Sequence, residues 1–173
     1  MDFRLVDMRS VVLVIHNIRS AHNVGSLLRT ADGLGVERVY LSGYTPYPKE
    51  LNDSRMPHLA AKMDRAISKT ALGAEKSVNC GHIDDIDQLI QKLKAEGFKI
   101  AALEKTAGSM PINEFKTDQN VAVIVGNEVD GLDKATLKLA DLCLEIPMAG
   151  AKESFNVAVA AAIALYNLEY PSA

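Results

Sequence analysis

The stretch Val121-Ala122-Val123-Ile124-Val125-Gly126-Asn127-Glu128-Val129-Asp130-Gly131-Leu132 decides the fold. Its first five residues are apolar and mostly β-branched, which reads as a strand buried on both faces, and Gly126 stops it. A strand with one wet face would alternate apolar and polar residues; this one does not, so it belongs inside a parallel sheet. Working outward, the same signature recurs at Val11 to Ile15, Val39 to Leu41, Lys99 to Leu103 and Leu142 to Ile146, with Ser77 to Cys80 a weaker candidate. Helical spacing fills the intervals. Ala21 to Leu34 places Val24, Leu27, Leu28 and Ala31 on one face and ends at Gly33 and Gly35. Leu59 to Ser68, Asp84 to Glu96, Leu132 to Ala140 and Glu153 to Glu169 read as further helices, and Tyr44 to Pro57, with three prolines, reads as a loop. Strands alternating with helices predict an α/β fold whose mostly parallel sheet is covered by helices on both faces.

Composition narrows the class without naming a partner. The 173 residues are 48% hydrophobic and 24% charged, which suits one ordinary core and excludes disordered or fibrous chains. Met1 to Ser10 mixes acids, bases and apolar residues and lacks a secretory signal, and the apolar run Val157 to Leu168 is too short to span a bilayer. A cytoplasmic protein with no membrane partner is the expectation. Two cysteines give no disulfide framework, and Cys80-Gly81-His82 supplies two ligands where structural zinc takes four, so no metal is expected. A net charge of −3 is no global nucleic-acid signature, although Lys49, Arg55, Lys62, Arg65, Lys69 and Lys76 outnumber the acids between positions 49 and 76. A solvated helix face explains that cluster as well as an RNA-facing patch does.

Three segments past strand ends, where open α/β sheets bind ligands, carry unusual polar residues. In the first, Asn23 and Arg29 lie six residues apart, about 120° round a regular helix, so they share a site only if Asn23 sits at or before the first turn. Helix capping alone is the competing explanation for Asn23, and a surface salt bridge for Arg29. Gly25 within that helix suggests close approach of a backbone or ligand. In the second, Gly126 leaves room for a flat ligand, and Glu128 is either functional or a helix-start carboxylate. No Lys-Ser/Thr pair follows and no Gly-x-Gly-x-x-Gly exists, which argues against a P-loop and against a dinucleotide oxidoreductase. In the third, Pro147 and Gly150 turn the chain, Ser154 is a candidate helix cap, and Asn156 stands one turn inside an Ala- and Val-rich helix, where an amide needs a specific partner.

These segments, in this order, resemble the three motifs of the SpoU/TrmH-type methyltransferases of the SPOUT superfamily. The resemblance runs from about Val12 to Leu168, and its most specific part is Ile146-Pro147-Met148 with Ser154-Phe155-Asn156-Val157. Phe155 departs mildly from the leucine usual there. The resemblance implies a C-terminal deep trefoil knot that forms a site for S-adenosylmethionine, and a homodimer that completes the active site. It implies transfer of a methyl group to a ribose 2′-hydroxyl of tRNA or rRNA. Matched residue by residue, Asn23, Arg29, Glu128, Ser154 and Asn156 are the catalytic set. Leu103, Glu104, Gly126, Ile146, Met148, Ser154 and Phe155 are the cofactor-binding set, with Thr106 alongside. The family often casts the arginine as general base; an arginine pKa above about 12 favours Arg29 as an electrostatic partner instead. The chain carries little beyond this core, so one domain over residues 1–173 without an appended RNA-binding domain is expected. The alternative is a module that binds RNA or S-adenosylmethionine without turnover, and the complete polar set argues against it.

Overall fold

The structure, a computed structural model, describes residues 9–170. Most of Met1 to Ser10, read above for a signal segment, lies outside the described residues. Seven strands form one sheet in the order β3-β2-β1-β6-β4-β7-β5, and every neighbouring pair is parallel. They are β1 (Val11–His16), β2 (Arg38–Ser42), β3 (Cys80–Ile83), β4 (Lys99–Leu103), β5 (Met110–Pro111), β6 (Val121–Val125) and β7 (Leu142–Glu145). The central strands β1 and β6 are buried along their whole length, as their unbroken apolar runs require.

The helices are α1 (Ala21–Leu34), α2 (Pro57–Ala71), α3 (Ala74–Ser77), α4 (Ile86–Ala95), α5 (Lys134–Leu139) and α6 (Val157–Glu169). Alternate residues of each strand face opposite sides of the sheet. Leu13, Ile15, Val123 and Val125 therefore pack with Leu27 and Leu28 of α1, Ile67 of α2 and Leu165 of α6. Their neighbours Val12, Val14, Ala122 and Ile124 pack with Leu89, Ile90 and Leu93 of α4 and with Leu132. Both faces are covered. Each such leucine or isoleucine contributes about 1.5–3 kcal/mol by leaving water.

Four local expectations shift. The weak strand at 77–80 lies instead at Cys80–Ile83, and Ser77 ends α3. Pairing of Cys80 with Val39 sets that position, not an apolar run, because β3 is a half-buried edge strand. The last helix starts at Val157 rather than Glu153. Asn156 is its N-cap, accepting from the Ala158 N–H at 2.9 Å, so Ser154 is not the cap and Asn156 is not inside the helix. At the start of α1 the cap is Ser20, whose hydroxyl accepts from the Asn23 N–H; Asn23 itself lies in the first turn. The short strand β5 and a 3-10 turn at Ile112–Glu114 had no sequence signal long enough to read.

Gly25 answers its question here. A Cβ at that position would collide with the Ile67 carbonyl and the Thr70 hydroxyl, and Thr70 Oγ1 donates to the His22 carbonyl at 2.8 Å. The close approach is α2 crossing α1, not a ligand.

Candidate active site

The chain runs from β1 outward to β2 and β3, then returns across the sheet to β4 on the far side of β6. Ligands of such sheets bind at the carboxyl ends of the strands beside this reversal. A cavity of about 590 Å³ opens there, past the ends of β4, β6 and β7. That volume lies within the range of small-molecule and cofactor sites. Its walls combine apolar side chains (Leu103, Val125, Leu144, Ile146, Met148) with carboxylates and backbone from the loops at 126–131 and 146–156. Such a lining fits an elongated cofactor with a flat apolar end and a polar, charged end.

The whole expected cofactor-binding set lines this cavity: Leu103, Glu104, Gly126, Ile146, Met148, Ser154 and Phe155. Glu128 and Asn156 line it too. Thr106 does not; its N–H is held by Ser109 Oγ at 3.1 Å in the neighbouring turn. Glu104 has a second task, since its carboxylate accepts from the Leu132 N–H at 3.0 Å and so ties β4 to the loop after β6. Gly126 departs from its expected role. A Cβ there would lie 2.7 Å from the Gly131 carbonyl carbon and 2.8 Å from Leu132 Cδ2. The glycine makes room for the protein's own loop, which Asn127 and Gly131 close with a reciprocal pair of backbone hydrogen bonds.

Three residues of the expected catalytic set meet at the cavity rim. Asn23 Nδ2 donates to Glu128 Oε1 at 2.8 Å, and Asn156 Nδ2 donates to Asn23 Oδ1 at 3.3 Å. Glu128 also accepts from the backbone N–H groups of Arg19 and Ser20, at 3.2 and 3.3 Å. Burial pushes the Glu128 carboxyl up, but these hydrogen bonds from Asn23, Arg19 and Ser20 outweigh it and leave the group below the usual carboxylate range. Glu128 is therefore an anion at neutral pH that clamps the free N–H groups before α1, and a poor proton acceptor.

Ser154 lines the cavity but makes no side-chain hydrogen bond among the described residues. Arg29 stands apart. It is exposed on α1, does not line the cavity and makes no ion pair or hydrogen bond among the described residues. Asn127, which the sequence reading passed over, is buried, and its amide joins the loop to the end of β1 by donating to the Asn17 carbonyl at 3.1 Å. Its position directly after the glycine that ends a buried strand was the available signal.

Among the described residues no group of three or more His, Cys, Asp and Glu side chains could hold a metal ion. His82 of the Cys80-Gly81-His82 stretch stacks on Tyr47 with ring centroids 4.0 Å apart. No helix among the described residues is long and apolar enough to cross a membrane.

The family profile described as the SpoU rRNA Methylase family matches residues 10–166. The chain is 33% identical over 160 residues to the 23S rRNA (guanosine(2553)-2′-O)-methyltransferase RlmP of Bacillus subtilis, covering 91% of this chain and 57% of that protein. It is 28% identical over 159 residues to a Staphylococcus aureus protein named for the TrmH family of tRNA/rRNA methyltransferases, covering 92% and 58%. Among solved structures, the SpoU methyltransferase AviRb of Streptomyces viridochromogenes in complex with AdoMet superposes with a TM-score of 0.74 at 25% identity, covering 95% of this chain and 61% of that one. The chain thus spans less than two thirds of the length of the relatives it matches.

Proposed function

The chain belongs to the SpoU rRNA Methylase family, and from that premise we propose that it transfers the methyl group of S-adenosylmethionine to a ribose 2′-hydroxyl of a tRNA or rRNA. The observation that carries the reading is the Asn156–Asn23–Glu128 chain of hydrogen bonds at the rim of a cofactor-sized cavity. The RlmP relative supports the ribose oxygen as acceptor, and the AdoMet complex of AviRb supports the cofactor. S-adenosylmethionine supplies a sulfonium-activated methyl group when bound.

The protein's own residues have to orient a weak nucleophile and stabilise the charge it develops. Glu128, held by three donors, fixes the approach to α1 and the side chain of Asn23. Asn23 and Asn156 present amides to the ribose, and Ser154 adds a hydroxyl on the cavity wall. Arg29 grips the phosphate beside the target ribose and stabilises the developing alkoxide, while that phosphate takes the proton. Methylation mapping on RNA from a deletion strain tests the reading: one 2′-O-methyl mark should vanish and return with the gene, and an unchanged map would refute it.

The assembly in this reading is a cytoplasmic, knotted homodimer. After β7, next to one sheet edge, the chain returns through 146–156 to pack α6 against α1 at the sheet centre, the path a C-terminal knot requires. Helix α6 is apolar almost all round, and such a helix needs cover on all sides. Ala161, Ala164, Leu165 and Leu168 are buried, whereas Val159, Ile163, Tyr166 and Tyr170 form an exposed stripe at helical spacing. A second subunit covers that stripe. Light scattering at micromolar concentration should give a dimer mass, and Ile163→Glu should shift it towards the monomer; a monomeric wild-type protein would contradict the assembly.

RNA affinity must come from local cations, because the net charge is −3. Arg55 is not among them. Its guanidinium lies 3.4 Å from the centroid of the Tyr47 ring, pairs with Asp53 at 2.5 Å and donates to the Tyr47 and Pro48 carbonyls. Hydrogen bonding from Arg55 holds the Asp53 carboxyl far below its usual range, so this link stabilises the loop above the unfolded carboxyl pKa and is lost on strong acidification. Arg55→Ala should lower the melting temperature and leave the salt dependence of RNA binding unchanged, whereas Arg19→Ala should reduce that slope by about one phosphate contact. A changed slope in the Arg55 variant would return Arg55 to the RNA surface.

A further inference from the structure

We propose that Tyr44 is a nucleobase-stacking platform that seats an RNA base next to the methylated ribose. The proposal rests on the reading of RNA as substrate.

Tyr44 follows the end of β2 and is 56% exposed. Exposed aromatic rings ordinarily swing freely; this one is pinned at both ends. Its phenol oxygen accepts from Asn127 Nδ2 at 2.8 Å, and its backbone N–H donates to Asn17 Oδ1 at 3.2 Å. The pins are themselves fixed. Asn127 Nδ2 also donates to the Asn17 carbonyl, and Asn127 Oδ1 accepts from the Val129 and Asp130 N–H groups. Asn17 adopts a left-handed backbone, with φ of 54°, and donates from Nδ2 to His16 Nε2 at 2.9 Å. That leaves the proton on His16 Nδ1, which donates to Ser42 Oγ at 2.9 Å. Burial pushes the His16 pKa down, so the ring stays neutral and the chain of hydrogen bonds keeps this direction at neutral pH. Gly43, with φ of +63°, has no room for a side chain because Asn17 Oδ1 occupies the space.

The proposed methyl-transfer chemistry uses none of this polar hardware. Besides tying the loop after β6 to the end of β1, it holds one aromatic ring in a set orientation. Asn127, which holds the phenol, directly precedes Glu128, so one loop carries both the ring's anchor and the partner of Asn23. Tyr47, three residues on, shows what a structural tyrosine looks like here, with a stacked His82 and a stacked Arg55. No ring or cation of the described residues stacks on Tyr44. Arg19, whose N–H binds the same Glu128, reaches Asp130 only at 4.0 Å with both side chains exposed, and so can turn its cation to a phosphate beside that base. An oriented aromatic face beside a cation is the arrangement that binds single-stranded RNA, and stacking of one base is worth about 1–3 kcal/mol, roughly 5- to 150-fold in affinity.

The test compares wild-type protein with Tyr44→Ala and Tyr44→Phe, using bulk tRNA and rRNA from a deletion strain as probe. Tyr44→Ala should raise the RNA Kd and KM by at least about fivefold. Its melting temperature, its oligomeric state and its affinity for S-adenosylhomocysteine should stay close to wild type. Tyr44→Phe, which keeps the face and loses the pin, should recover most of the affinity. Ultraviolet crosslinking of the wild-type protein to the same RNA should map to Tyr44, a readout independent of any variant. Unchanged RNA affinity in Tyr44→Ala with no crosslink at Tyr44 would overturn the proposal while the methyltransferase reading stood. A parallel loss of stability or dimerisation would overturn it too, by making the ring a structural or subunit contact. A wild-type protein that neither bound nor methylated any RNA would remove both.

Discussion

Replacing Arg29 with alanine should reduce methyl transfer by about 10²–10³-fold, the scale seen when a group that stabilises transition-state charge is removed. Affinity for S-adenosylhomocysteine should stay within a few-fold of wild type. The separation follows from placement, because Arg29 is exposed on α1, lines no part of the cavity and holds none of the residues that do. Its loss leaves the cofactor walls and the Asn156–Asn23–Glu128 chain untouched. Arg29→Lys should rescue little, since an ammonium keeps the charge but not the two-pronged grip on a phosphate. Turnover near wild type in the lysine variant would exclude any role for the guanidinium fork. Strong cofactor loss in Arg29→Ala, with the fold intact by circular dichroism, would mean that the RNA side and the cofactor side are assigned the wrong way round.

Gly126→Ala should already impair cofactor binding, and Gly126→Val should abolish it, with affinity for S-adenosylhomocysteine falling beyond about 100-fold. The cause is not a methyl group pushed into the cavity. The new Cβ would lie 2.7 Å from the Gly131 carbonyl carbon and 2.8 Å from its oxygen, backbone atoms that cannot swing aside. The loop must move, and it carries Asn127 and Glu128 with it. Overpacking of this kind costs about 1–3 kcal/mol, so the melting temperature should fall as well. Both variants should lose RNA affinity together with cofactor affinity, unlike Arg29→Ala. Calorimetry and thermal melts on the two proteins check this; a silent Gly126→Ala would contradict the packing described at the end of β6.

The sheet was readable from the chain because its strands are buried on both faces. Val121–Val125 and Val11–His16 have no polar alternation to confuse them with half-exposed strands, and the helices between them keep a clear apolar spacing. Edge elements were harder. β3 is only half buried, and its register is set by Val39 opposite Cys80 rather than by its own residues. The start of α6 was misplaced because Glu153 and Ser154 look locally like a helix beginning, while the long-range demand for a loop along the cavity moves the cap to Asn156.

The site was legible as residue types through its resemblance to a family, and much less so as contacts. Asn23 meets Glu128 across 105 positions, and no spacing rule reaches that far. The clamp of Glu128 on the Arg19 and Ser20 N–H groups depends on where β6 ends relative to β1, a property of the sheet order. At Gly126 the sequence suggests room for a flat ligand, whereas a Cβ there would meet Gly131 and Leu132, because a glycine in a sequence does not tell which atoms fill the space beside it. Tyr44 carried no signal at all. Its meaning lies in a hydrogen bond from Asn127, 83 residues away.

The most direct measurement is transfer of tritiated methyl from S-adenosylmethionine to bulk tRNA and rRNA, followed by alkaline hydrolysis of the product. Alkali cleaves RNA through the free 2′-hydroxyl, so a 2′-O-methyl group protects the bond beside it. Label recovered in alkali-resistant dinucleotides, and lost in Arg29→Ala, is the predicted result. Label recovered in mononucleotides would place the methyl group on a base, and no label from any RNA would leave a binding module in place of an enzyme; either result contradicts the assignment of ribose 2′-O-methylation.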